Sequence, residues 1–348
     1  MAIDITAILQ RAVEEGASDV ILTAGAPPVV YIDGKLLRLG AEKLTGEDTQ
    51  RMLYSVLEGD QAARFERDRE LDFSFTYDGQ HRFRGNVFYQ RGAVGGALRL
   101  ITNAIPTPEA LGLPPVAVEF AEAAQGLVLV TGPTGHGKST TLASLIDHVN
   151  RTRACHIVTI EDPIEFVHHH RMALVEQREV GADTHSFADA VRHVLRQAPH
   201  VIQVGEMRDL ETIRAVLTAA ETGHLVLATL HTNDAAQTVD RIIDVFPPNQ
   251  QNQVRMQLSM ALSAILAQRL LPRLGGGRVL ACEVLRGCTP IANLIREGKT
   301  AQVPGMIETH AKLGMQTLDA AVKRLYLDGI VAEDAARAVM RHPGNLFG

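Results

Sequence analysis

The nine residues GPTGHGKST at 132–140 limit the possible fold more than any other stretch of this chain. They fit G-x-x-x-x-G-K-[ST], in which glycines let several backbone N–H groups turn onto phosphate oxygens and the next helix adds its positive end. Gly132, Gly135 and Gly137 supply the glycines, and Pro133, Thr134 and His136 fill free positions. Lys138 can reach the β- and γ-phosphates, and Ser139, followed by Thr140, can ligate Mg²⁺. The motif has this meaning only between a buried strand and a helix, and here apolar GLVLV precedes it and TTLASLIDHVN follows. The expected cofactors are ATP and Mg²⁺.

Four short apolar runs, GLVLV, HIVTI, VIQV and LVLATL, alternate with helical patterns such as SFADAVRHVLRQ. Such alternation predicts an α/β domain with a mainly parallel sheet covered by helices. The strands of such a sheet carry ligands at their carboxyl ends. HIVTIEDPIEF brings Glu161, Asp162 and Glu165 to that edge, and VIQVGEMRDLETI brings Glu206. Glu206 is expected to face the Mg²⁺ and its waters. His224 and His231 bracket the LVLATL strand, where an imidazole near the γ-phosphate could sense hydrolysis. The run His168-His169-His170 reads as a polar turn. Beyond residue 250, NQVRMQLSMALSAILAQRLL (252–271), MQTLDAAVKRLYLDG and AEDAARAVMR read as helices.

The first hundred residues differ in rhythm. VVYIDGKLLRL and LDFSFTYDGQHRFRGNVFYQ are hairpins turning at Asp33-Gly34 and Asp78-Gly79. In the second, Phe73, Phe75 and Tyr77 share one strand face, and Arg82 and Arg84 point opposite to Phe83, Val87 and Tyr89. The Pro-rich stretch TNAIPTPEALGLPPVAVEF reads as a linker. The expected organisation is a first domain at 1–103, a linker at 104–120 and an ATPase domain at 121–348. A net charge of −6 without a basic block disfavours a general nucleic-acid surface. No apolar run reaches the roughly 18–20 residues of a membrane span, and the amino terminus has no signal-peptide pattern. Three cysteines without CxxC spacing point to a thiol-reduced, cytoplasmic protein.

Taken in order, GPTGHGKSTT, IEDPIEF, VGEMRDLETI, TGHLVLATLHTND and DRIIDVFP resemble the secretion-ATPase superfamily of type II secretion and type IV pili. SDVILTAGAPP, RFRGN and LGMQTLD extend the likeness almost end to end and narrow it to the pilus retraction group, PilT/PilU. The string PIANLIRE (290–297) is similar to the group's AIRNLIRE, with Ala292 where that motif has Arg. The resemblance implies a PAS-like α+β first domain, a RecA-like P-loop ATPase domain with a helical carboxyl-terminal part, and a homohexameric ring. It implies that Glu165 activates water, that Glu206 is the Walker B acid, and that His224 and His231 form a histidine box. Arg82 and Arg84, and further Arg241, would reach a neighbouring subunit's nucleotide. The implied work is ATP-driven pilus retraction and twitching motility at the inner face of the bacterial cytoplasmic membrane, against a platform protein and beside a possible second retraction ATPase. An amino-terminal extension and a four-cysteine element, usual in extension ATPases, are not in this sequence. The competing readings are a nucleic-acid-translocating or conjugation-type ring ATPase and a regulatory paralogue that binds ATP without hydrolysing it.

Overall fold

The computed structural model describes residues 4–32, 35–79, 81–101 and 104–347. The chain divides into two compact units, 1–104 with 165–167, and 105–164 with 168–348.

The alternation of large apolar residues near the amino terminus is that of a sheet with one covered face. Its elements are α1 (Ile5–Glu14), β1 (Asp19–Leu22), β2 (Val29–Ile32), β3 (Lys35–Arg38), α2 (Gly46–Tyr54), α3 (Gln61–Asp68), β4 (Glu70–Tyr77), β5 (His81–Gln90) and β6 (Ala93–Leu100). The strands form an antiparallel sheet in the order β3-β2-β1-β6-β5-β4. Phe73, Phe75, Phe83, Val87 and Leu98 pack there with Leu9 of α1, Leu53 of α2 and Phe65 of α3. This is the α+β, PAS-like architecture expected from the sequence. The glycine of RFRGN has a packing reason, since a Cβ on Gly85 would lie 2.4 Å from the Phe73 ring. At the β4–β5 turn Asp78 and Gly79 both have positive φ, at 53° and 74°. The Asp33-Gly34 turn and residues 102–103, where the domain boundary was expected, lie outside the described residues, although Ile32 pairs with Lys35 across β2 and β3.

The second unit runs α4 (Val116–Ala121), β7 (Gly126–Thr131), α5 (Lys138–Thr152), β8 (His156–Glu161), β9 (Leu174–Glu179), α6 (Phe187–Val194), β10 (Val201–Val204), α7 (Leu210–Glu221), β11 (Leu225–Leu230), α8 (Ala235–Asp244), α9 (Pro248–Ala261), β12 (Leu262–Pro272), β13 (Arg278–Arg286), α10 (Thr289–Arg296), α11 (Val303–Thr309), α12 (Leu318–Leu327) and α13 (Glu333–Val339). Its sheet has the order β13-β12-β7-β11-β10-β8-β9, parallel throughout except for β13. Every residue of β7 and β11 is buried, because helices cover both faces. Leu127, Leu129, Ile202 and Val226 meet α6 to α11 on one side, while Val128, Val130, Ile157 and Leu227 meet α4 and α5 on the other. This is the RecA-like arrangement.

Two sequence expectations change here. The stretch 252–271 is not one helix: α9 ends at Ala261 and Leu262 begins β12, which pairs in parallel with β7. A strand buried on both faces is a continuous apolar run, which periodicity cannot separate from a buried helix. The second half of the Pro-rich stretch is also built into the core, where Leu113, Val116, Ala117 and Phe120 are buried. PIANLIRE forms most of α10, with Ile291 and Ile295 buried and Ala292 half-buried.

Candidate nucleotide site

The parallel order fixes the location of the site, since β7, β8, β10 and β11 all end on the edge that carries residues 132–137. Gly132 leaves β7 at φ 142°, and a Cβ there would lie 2.5 Å from the Gln268 carbonyl oxygen of β12. Only glycine fits that approach. Gly137, at φ 80°, precedes the first turn of α5, where Lys138 is buried and Ser139 and Thr140 are half-buried. The loop, the hydroxyls and the positive helix end therefore form one cradle.

Glu206 comes to this edge because the backbone on either side of it is clamped by neighbouring strands. Gly205 N–H donates to Ile160 O of β8 at 2.8 Å, and Met207 N–H donates to Thr229 O of β11 at 3.0 Å. Asp209 then accepts from Thr212 N–H at 2.8 Å and starts α7. A buried strand thus ends by holding a carboxylate in a turn.

His231, just past β11, joins that carboxylate to the loop. Lys138 Nζ donates to Gly132 O at 2.9 Å, to Pro133 O at 3.1 Å and to His231 Nδ1 at 3.3 Å. Thr134 Oγ1 lies 3.3 Å from the same ring nitrogen. An ammonium can only donate, so Nδ1 is the acceptor and the ring proton belongs on Nε2. Nε2 is 2.8 Å from Glu206 Oε1, and Arg208 Nε donates to that same oxygen at 2.6 Å. The bond to Glu206 raises the Arg208 pKa further above its ordinary value. Lys138, His231 and Glu206 are therefore connected atom to atom. Arg208 was not singled out in the sequence, although its place two residues after Glu206 is a usable signal.

Other candidate residues lie elsewhere. His224 stands at the opposite end of β11, near Ala219 O and Thr222 Oγ1. A six-residue strand spans roughly 20 Å, so within one chain His224 does not join His231 at the loop. Glu165 is exposed in the loop after β8. Glu161 is buried, accepting from Thr159 Oγ1 at 2.6 Å and Gln177 Nε2 at 3.0 Å. Arg82 is half-buried on β5 and donates to Ser74 Oγ at 2.7 Å, whereas Arg84 is exposed. Arg241 is exposed on α8. Burial pushes the His168 imidazole down to about 4, and Asn150 holds the loop around it through His169 O and Arg171 N–H.

β12 and β13 also hold the site. Arg269 Nη2 donates to Asn233 Oδ1 at 2.8 Å, and Ala235 N–H donates to Glu283 Oε1 at 2.8 Å, fixing the segment that follows His231. None of these contacts was legible while 252–271 read as helix.

A RecA-like sheet whose phosphate loop is joined to a strand-end glutamate through a histidine defines a P-loop nucleoside-triphosphatase. The family model for type II/IV secretion system protein matches residues 115–307. The chain belongs to that family, within its PilT/PilU pilus-retraction group. It is 47% identical over 342 residues to the type IV pilus retraction ATPase PilT of Pseudomonas aeruginosa, covering 98% of this chain and 99% of that one. It is 43% identical over 330 residues to the type IV pilus ATPase PilU of the same organism, covering 94% and 86%. Among solved structures, the pilus retraction motor PilT with bound ADP matches with a TM-score of 0.91 at 50% identity, covering 98% of both chains. The Legionella pneumophila ATPase DotB matches with a TM-score of 0.86 at 28% identity, covering 97% and 96%. Among the described residues no helix is long and apolar enough to cross a membrane.

Proposed function

We propose that this chain is a motor that hydrolyses ATP to drive type IV pilus retraction. One observation carries the reading: Lys138, His231 and Glu206 converge on a phosphate loop in a chain similar along its whole length to PilT. In the proposed cycle Lys138 exchanges two main-chain carbonyls for phosphate oxygens, which as anions are the stronger acceptors. Ser139 and Glu206 offer hard oxygen donors of the kind Mg²⁺ takes and would hold it. When bound, that ion neutralises charge on the phosphates.

Glu206 and His231 respond to the terminal phosphate, since any group that draws Lys138 away from His231 Nδ1 also loosens the ring's hold on Glu206. Glu165, by its place in IEDPIEF, orients the attacking water. Arg82 and Arg84, with Arg241 as a further candidate, stabilise charge on the phosphoryl group bound by the next subunit of a homohexamer. A closed ring passes each subunit's movement to its neighbour. The proposed setting is the cytoplasmic face of the inner membrane, beside a platform protein of the pilus machine.

Deleting the gene and then counting surface pili and measuring surface motility tests the reading. Abundant, static pili are expected. Cells without pili would make the motor an extension enzyme, and ATPase activity that rises steeply with added DNA at low salt would move it to the nucleic-acid translocases.

A further inference from the structure

We propose that His136 is a positioning residue that staples the phosphate loop to β12 through an acceptor bond on Nδ1, so that nucleotide affinity falls on acidification; this rests on the nucleotide-site reading above. Position 136 is one the loop motif leaves free, so its backbone role needs no particular side chain. Yet Leu270 N–H donates to His136 Nδ1 at 2.9 Å, and Gln268 Nε2 donates to His136 O at 2.6 Å. Next to it, Arg278 Nη1 donates to Gly135 O at 3.2 Å. Gln268 is itself only 1% exposed, so the strand side of the staple is fixed in the core.

Of these contacts, only the one through His136 can change charge near neutral pH. Protonation of Nδ1 removes its lone pair and turns an N–H toward the Leu270 N–H. It also adds a positive charge among Arg269 of β12, Lys138 of α5 and Arg278 of β13, the charged groups that act on the ring. Burial first, and then these three cations, hold the imidazole below its ordinary value of 6.5 while the loop is stapled. A released loop lets the ring return toward that value, so acid favours release. The sequence GPTGHGKST thus carries one imidazole, the side chain whose ordinary value lies nearest neutral pH.

The test uses the full-length protein and a fluorescent ADP analogue, with binding measured from pH 8 to pH 5.5. His136→Asn places an amide oxygen where Nδ1 stands and cannot be protonated in this range, whereas His136→Ala removes the acceptor. At pH 8 the Ala variant should bind about five- to tenfold more weakly than the Asn variant, the effect of one hydrogen bond. Below about pH 6.5 wild type should weaken several-fold more than the Asn variant, a comparison in which protonation of the nucleotide cancels. Parallel pH slopes for wild type and the Asn variant would overturn the proposal. Equal affinities of the Ala and Asn variants at pH 8 would do the same, provided that both melt cooperatively. Wild type that binds no nucleotide at pH 8 would instead overturn the nucleotide site itself, and the staple with it.

Discussion

His231 stands between Lys138 and Glu206, with Nδ1 3.3 Å from the ammonium and Nε2 2.8 Å from the carboxylate. One ring therefore couples the glycine-rich loop at 132–138 to the acid at the tip of β10. Exchanging Glu206 for glutamine keeps the shape and removes the charge. Glu206→Gln should lower turnover about 100-fold or more, the usual scale for removing a positioned catalytic group, with nucleotide affinity within a few-fold of wild type. Steady-state phosphate release with a parallel binding titration reads both quantities, and unaltered turnover would remove Glu206 from the mechanism.

Lys138 is buried and surrounded by acceptors, so its alanine variant loses the ammonium that binds the Gly132 and Pro133 carbonyls. The loss of one preorganised donor costs about 2.7–4 kcal/mol in the transition state. Lys138→Ala should accordingly retain less than a tenth of wild-type ATPase activity. A purified variant that exceeds that fraction would place the chemistry elsewhere.

Arg84 is exposed on β5, as a residue offered to a neighbour would be. Arg84→Ala should leave nucleotide binding intact and cut turnover in the assembled ring. Mixed with Glu165→Gln subunits, it should regain part of the activity, because some interfaces then combine a whole arginine with a whole glutamate. No recovery at any mixing ratio would deny shared sites.

Glu283 supplies a dependence on pH. Burial first, and also the adjacent Asp234, push its carboxyl above the ordinary 4.5, while it accepts the Ala235 N–H. The folded state thus holds the proton more tightly than the unfolded chain. Its contribution to stability is full below about pH 4.5 and is lost as pH rises through the folded-state value. At neutral pH the buried carboxyl is a cost relative to a side chain that cannot ionise. Glu283→Gln, which keeps an acceptor for Ala235, should melt higher than wild type at pH 7–8, with the difference shrinking toward pH 4.5. A wild type that melts higher at pH 8 would show that the charge stabilises the fold.

Much of this was legible in the sequence because it depends on local rules. The glycines and lysine of 132–138 need no distant partner to be recognised, and the runs before Glu161 and Glu206 are apolar enough to be strands wherever they pack. The carboxyl-terminal half was less legible. Leu262–Pro272 follows α9 without a turn signal, and its pairing with β7, 136 residues earlier at Ala267↔Thr131, has no local signature. His224 and His231 bracket one strand and both read as sensors in the sequence, whereas within one chain only the His231 end meets the loop.

The sequence by itself determined that a phosphate loop lies between a strand and a helix, that acids follow the neighbouring strands, and that a separate domain comes first. Those features are written in glycine placement, apolar period and motif order. Only the tertiary structure decided which histidine reaches the lysine, and that β12 grips the loop through Gln268, Leu270 and His136. The reason is physical: hydrogen bonds between residues about a hundred positions apart depend on strand order and register, which no local stretch of sequence encodes.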